Sequence, residues 1–219
     1  MQKFGIPAIL LEGLGILVLL AGCRANTSPE NGPSYSGTTA VSVTIFVNNF
    51  EDWLKAYKEY SDSDARINLY VSPDDPNLVT YYELTKSHAD AKEFFSSEVM
   101  KRNMKRAGVM DEPTITYFDL KYRNQLKSDK KYRVLVTHDV ADYDAWKKVF
   151  DAGEQRRTEN GFELRGIYVD SENPNMVGVF LATNDPEKTK VMIESESFKK
   201  ILEEADVASK PTLTILKVP

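Results

Sequence analysis

Val41-Ser42-Val43-Thr44-Ile45-Phe46-Val47 and Val134-Leu135-Val136-Thr137-His138-Asp139-Val140 are two versions of one stretch, and their match decides how the chain is read. Carried onward, the alignment places Trp53 on Trp146 and Leu69-Tyr70-Val71 on Ile167-Tyr168-Val169. It also places Pro76-Asn77 on Pro174-Asn175, Val79 on Val177, and Pro113-Thr114-Ile115-Thr116 on Pro211-Thr212-Leu213-Thr214. Roughly a third of aligned positions are identical, which marks an internal duplication. The second copy carries a few extra residues near Glu159–Phe162.

Each copy reads strand, helix, strand, strand, helix, strand. Val41, Val43, Ile45 and Val47 alternate with less apolar residues, as in a half-buried strand. Asn49 is placed to cap a helix whose first turn holds Glu51 and Asp52, and Asp142 does the same in the second copy. Trp53, Tyr57 and Tyr60 share one face of that helix; Trp146, Val149 and Phe150 form the matching stripe. The turn-rich runs 72–77 and 170–175 predict two hairpins. A second helical region is expected from about Ser87 to Ala107, and again from Asp185, with Pro186 at the first helical position, to Ala205. A final strand follows Pro113 and Pro211.

The order β-α-β-β-α-β is the ferredoxin-like unit. Two units in tandem, each with a tryptophan heading its first helix, resemble the dimeric α+β-barrel superfamily, which includes antibiotic-biosynthesis monooxygenases and muconolactone isomerases. That resemblance implies an α+β fold in which two four-stranded sheets face each other as a barrel with helices outside. Here both sheets come from one chain, so the expectation is a monomer containing an intrachain pseudo-dimer. The boundaries are 41–120 for the first repeat, 121–132 for a Lys- and Arg-rich linker and 133–219 for the second repeat.

The strand period then assigns faces. Val41, Val43, Ile45, Leu69, Val71, Val79, Tyr81, Ile115 and Tyr117 should lie under the helices. The opposite face, carrying Tyr70, Tyr82, Thr137, Tyr168, Phe180 and Thr214, should line the barrel. Hydroxyls mixed with aromatic rings suit an uncharged or weakly acidic aromatic ligand, so these six are the candidate ligand-binding residues. The same rings could instead plug the barrel. Gly166 and Gly178 favour space in the second half.

Ile45-Phe46 in the first copy becomes His138-Asp139 in the second, and this pair is the candidate catalytic base. Adjacent strand residues point to opposite faces, so a working dyad needs a bulge. His88 is expected to be exposed. Asp74, Asp75, Asp170 and Glu172 are expected to serve hairpin turns, not calcium. With two histidines far apart, no metal site or cofactor is expected. No phosphate-binding glycine loop, nucleophile elbow or haem-attachment motif is present.

Ahead of the repeats, Lys3, an apolar stretch interrupted by Glu12, and Leu19-Leu20-Ala21-Gly22-Cys23 resemble the signal peptide and lipobox of bacterial lipoproteins. The resemblance implies cleavage after residue 22, acylation of Cys23 (the only cysteine) and a lipid anchor in the cell envelope. Arg24 in place of aspartate directs it, in a diderm host, to the outer membrane. Residues 24–40, rich in Ser, Thr, Asn, Gly and Pro, form an expected disordered tether behind the acylated cysteine. The net charge of −5, with no basic stripe, argues against a nucleic-acid partner. The expected function is therefore an envelope-anchored barrel that binds a small aromatic or weakly polar molecule or an envelope partner. The alternative is a cofactor-independent enzyme resembling the superfamily's monooxygenases or isomerases.

Overall fold

The computed structural model describes residues 39–60, 68–85 and 87–219. The leader, Cys23 and nearly all of the tether lie outside the described residues, so the lipobox expectation is not addressed by them.

The first repeat runs β1 (Thr39–Phe46), α1 (Phe50–Tyr60), β2 (Asn68–Val71), β3 (Leu78–Thr85), α2 (His88–Ser96), α3 (Glu98–Arg106) and β4 (Thr114–Arg123). The second runs β5 (Tyr132–Asp139), α4 (Tyr143–Ala152), α5 (Glu154–Glu159), β6 (Glu163–Asp170), β7 (Met176–Thr183), α6 (Pro186–Glu194), α7 (Glu196–Glu204) and β8 (Thr212–Lys217). All neighbouring strands are antiparallel, and they close as β1-β3-β2-β8-β5-β7-β6-β4. The two ferredoxin-like sheets thus form one α+β barrel on a single chain. One seam, between β4 and β6, is paired from Phe118↔Asp170 to Arg123↔Gly166; the other rests on Val71↔Lys217.

Alternation works as the period demands. Val41, Val43, Ile45, Val71, Val79 and Tyr81 pack under the helices with Trp53, Ala91, Phe95 and Met104. Val134, Val136, Ile167, Val169, Val177 and Val179 do the same around Trp146. Asn49 Oδ1 accepts the Asp52 amide at 3.0 Å, and Asp142 caps α4 through the Ala145 amide. Stacking of Trp53 on Tyr57 (4.9 Å) has its counterpart in Trp146 on Phe150 (5.0 Å).

Element boundaries differ from the expected ones: β4 runs on to Arg123 and β5 begins at Tyr132, both inside the stretch read as linker. β1 begins at Thr39, inside the stretch read as tether, because Thr39 and Ala40 are buried and pair with β3 and β4. The second helical region is two helices in each repeat. Ser97 Oγ donates to the Phe94 carbonyl at the end of α2 and accepts the Met100 amide at the start of α3; Ser195 repeats this between α6 and α7. A serine that caps one helix diverts the backbone from continuing the previous one. The extra residues of the second copy close α5, turn at Gly161 (φ +81°) and bury Phe162 in the second core.

Candidate functional site

The interior of the barrel is filled. Tyr70, Tyr82, Phe180 and Leu216 are buried there, with Leu135 and Tyr168 packed against them. Ring centroids lie 5.2 Å apart for Tyr82 and Phe180 and 5.7 Å for Tyr70 and Phe180. The expectation that Gly166 leaves space is therefore corrected: a Cβ there would come within 2.8 Å of the Tyr168 hydroxyl, so the glycine is room already taken by tyrosine. A Cβ on Gly178 would meet Leu135 Cδ1 at 3.3 Å.

What is open is the end of the barrel where β5 and β6 begin and β4 ends. Three arginines reach it, one by plain strand alternation and two through bulges. Arg133 shares the face of Leu135, two residues before it on β5. Arg123 comes to the same face because β4 slips by one residue at Lys121. Leu120 pairs with Tyr168 and Tyr122 with Ile167, so Tyr122 packs under the helices and Arg123 opposite Gly166 turns inward. Arg165 is itself the extra residue of a bulge on β6, between Leu164↔Leu181 and Gly166↔Phe180. Bulges commonly re-aim a side chain in this way.

Backbone carbonyls hold two of these guanidiniums in place. Arg133 Nη1 donates to the carbonyls of Lys130 (2.8 Å) and Tyr132 (3.0 Å). Arg165 Nη2 donates to the carbonyls of Asn124 (3.1 Å) and Leu126, which fixes the loop after β4. The Arg133 guanidinium carbon stands 5.9 Å from the centre of the Tyr70 ring. Burial pushes the Tyr70 phenol up, with Arg133, Arg165 and Arg123 pulling against it. Burial, then Arg133, pushes the Arg165 guanidinium down.

These groups border a cavity of about 1080 Å³. Its other wall is the helix side of the first repeat: Trp53, Tyr57, Tyr81, Met100 and Met104. Glu83, half-buried on β3, also lines it and accepts a hydrogen bond from the Tyr57 hydroxyl at 3.1 Å. Burial holds the Glu83 carboxyl above the usual carboxylate range, against the pull of the Tyr57 bond. The second repeat has Leu181 at the matching position, buried in its core.

Of the six expected ligand residues, Tyr70, Tyr168 and Phe180 border this cavity. Tyr82 is buried in the barrel core, Thr137 is half-buried opposite Gly178, and Thr214 is exposed on β8. His138 and Asp139 are not brought together. The His138 ring packs 5.7 Å from Trp146 under the helices, with neither nitrogen hydrogen-bonded. Asp139 faces the other way, where its carboxylate accepts from Asn173 Nδ2 at 3.3 Å. His88 is half-buried against Tyr117, at 4.8 Å between ring centres, and not exposed as expected. Two of the four acidic hairpin residues serve turns: Asp170 Oδ1 accepts the amides of Glu172 and Asn173, and Asp75 Oδ1 that of Asn77, whereas the Glu172 carboxylate pairs with Lys92 on α2. No cluster of metal-binding side chains occurs among the described residues.

Sequence reasoning missed Arg123, Arg133, Arg165 and Glu83. Arg133 was within reach, since the barrel-face parity of Leu135 and Thr137 extends two residues back. Arg123 and Arg165 were not, because each depends on a one-residue slip that the strand's own alternation conceals.

No family model matches the chain, and no curated protein does. Among solved structures it is similar to a candidate monooxygenase of Fusobacterium nucleatum, with TM-score 0.55 and 12% identity over 83% of this chain and 92% of that one. It is similar to an uncharacterised ferredoxin-fold protein of Listeria monocytogenes related to antibiotic biosynthesis monooxygenases (TM-score 0.50, 9% identity, 84% and 96% covered). A mutant chlorite dismutase of Candidatus Nitrospira defluvii gives TM-score 0.51 and 9% identity, with 84% and 91% covered. At such identities the likeness is one of fold, that of the ferredoxin-like dimeric α+β barrel.

Proposed function

We propose that this chain is a lipid-anchored envelope protein, acylated at Cys23, whose barrel binds a small organic molecule as a monomer. The observation that carries the binding role is the cavity of about 1080 Å³, which combines aromatic rings with a few oriented polar groups. That composition is typical of small-molecule sites. Because the barrel interior is filled, this reading puts the ligand at the barrel end and the helix side of the first repeat, not on the barrel axis. Native mass spectrometry of the full chain, released gently from its host's envelope, tests the binding role. A reproducible excess mass on a monomer supports it, and a bare monomer through several preparations overturns it. Labelling with palmitate tests the anchor: the label should enter the wild type and be absent from Cys23→Ser.

Glu83 favours a second reading, an enzyme-like role at the same site. A carboxyl that burial in an aromatic wall holds above its usual range is the kind of group that serves as a general acid or base. Solved structures named as monooxygenases share the fold, and that supports this reading at fold level only. Glu83→Gln separates the two: an enzyme loses turnover while keeping affinity, and a binding module is unchanged.

A further inference from the structure

Resting on the reading of this cavity as a ligand site, we infer that its ligand is an aromatic carboxylic acid, with the carboxylate held by Arg133 and Arg165 at the barrel end and the ring against the aromatic wall.

The charge balance of the cavity points there. Among the described residues, four cationic side chains border it (Arg123, Lys127, Arg133 and Arg165) against one carboxylate, Glu83. Glu83 is engaged by Tyr57 in the aromatic wall, and none of the ion pairs among the described residues includes it. None of the ion pairs among the described residues includes Arg133 or Arg165. The acid that acts on Arg165, Glu163, is held by Ser128 Oγ at 2.7 Å and Lys130 Nζ at 3.8 Å.

Arg133 is the most telling of the group. Its exposure is 8%, so its charge is largely withdrawn from water, yet the groups it meets are two neutral carbonyls and the Tyr70 phenol, none of them a carboxylate. Withdrawing a charge without a counter-charge is costly. The fold does not require it, because the first repeat has Ala40 at the equivalent position and buries it. The carbonyl bonds of both guanidiniums set their orientation and leave further N–H donors over, since each guanidinium carries five. A planar carboxylate matches such a fork with paired hydrogen bonds. Tyr70, Tyr168 and Phe180 beside the arginines and Trp53, Tyr57 and Tyr81 beyond them offer flat apolar surface to an aromatic body.

The test is isothermal titration of the full chain in zwitterionic lipid nanodiscs, with empty discs as the blank, using 2-naphthoate and its uncharged methyl ester as probes. The expected result is that naphthoate binds at least ten-fold tighter than the ester. In Arg165→Gln that preference should fall to near unity, by loss of naphthoate affinity with the ester unchanged. Arg133→Gln should do the same where its melting temperature shows it folded; the wild-type ratio needs no variant. Equal binding of acid and ester, or a preference that survives Arg165→Gln, overturns the inference while leaving the cavity a ligand site. Binding of neither probe overturns the inference and also counts against the ligand site, which the envelope-derived mass measurement then decides separately.

Discussion

Position 138 holds a histidine where the first repeat has Ile45, in the same place under its helices. Burial pushes the His138 imidazole down to about 4, although Asp139 pulls it up. A depressed folded value means that the unfolded chain takes up the proton first. Stability is thus full above about pH 6.5 and is lost as pH falls towards 4, by about 3 kcal/mol in all. Denaturant titrations from pH 7 to 4 should show this loss in the wild type and a shallower one in His138→Ile. The variant should also gain about 1 kcal/mol at pH 7, because two unpaired ring nitrogens leave the core. Identical slopes in the two proteins would sink the argument. A second residue-scale contrast lies just past α3 and α7. Gly108 (φ +82°) and Asp206 (φ +50°) occupy equivalent left-handed positions, and only one of them is a glycine. Asp206→Gly should raise stability by about 0.5–1 kcal/mol, and Gly108→Asp should lower it, both read from melting curves.

Among the elements, the strands and their faces were legible because each side chain's face follows from parity alone. Val41, Val43 and Ile45 could be assigned without knowing any partner. The bulges at Lys121 and Arg165 were not legible, since the extra residue is defined only by the strand opposite. The same limit hid the candidate site: two of its three arginines exist as cavity residues only after those slips. Serines 97 and 195 were visible in the sequence but were absorbed into one helical region, because their capping role depends on where the preceding helix stops. Glycine 166 was misread for a related reason. Its missing Cβ suggested an empty volume, when Tyr168 on its own strand fills it. The Tyr168 ring packs against Phe118 (5.7 Å) and Phe180 (6.3 Å), and both resist its displacement. Gly166→Ala should therefore cost about 1–3 kcal/mol by overpacking, measured by urea denaturation. A neutral result would mean that the barrel interior yields more readily than its packing indicates.

On the scale of the whole barrel, the duplication correctly announced that two halves would close on each other, but not how unequal their joins are. The β4–β6 seam is long, whereas β2 and β8 meet at Val71↔Lys217. Among the described residues, charge crosses between the halves at equivalent places, as an ion pair on one side only. Lys92 on α2 pairs with Glu172 in the β6–β7 hairpin, and its counterpart Lys190 on α6, held mainly by Glu187, feels Asp74 in the β2–β3 hairpin. The apolar interface inside the barrel should hold the halves without a covalent link. A protease site inserted between Ser128 and Asp129, once cut, should leave both fragments co-eluting in size exclusion at the mass of the uncut chain; fragments eluting apart would show that the connection itself maintains the barrel. The filled interior follows the pseudo-two-fold, Tyr70 and Tyr82 of one half answering Tyr168 and Phe180 of the other. The arginine end does not, since Arg133 faces Ala40 across the axis. In a barrel made from two identical chains, any charge introduced at such a rim appears twice, and two like-charged clusters must share one opening. Joining the halves in one polypeptide removes that constraint, letting Arg133 and Arg165 of one half share an opening with the aromatic wall of the other. For the ligand site proposed above, occupancy would then count in ones, with no symmetric neighbour to cooperate or compete.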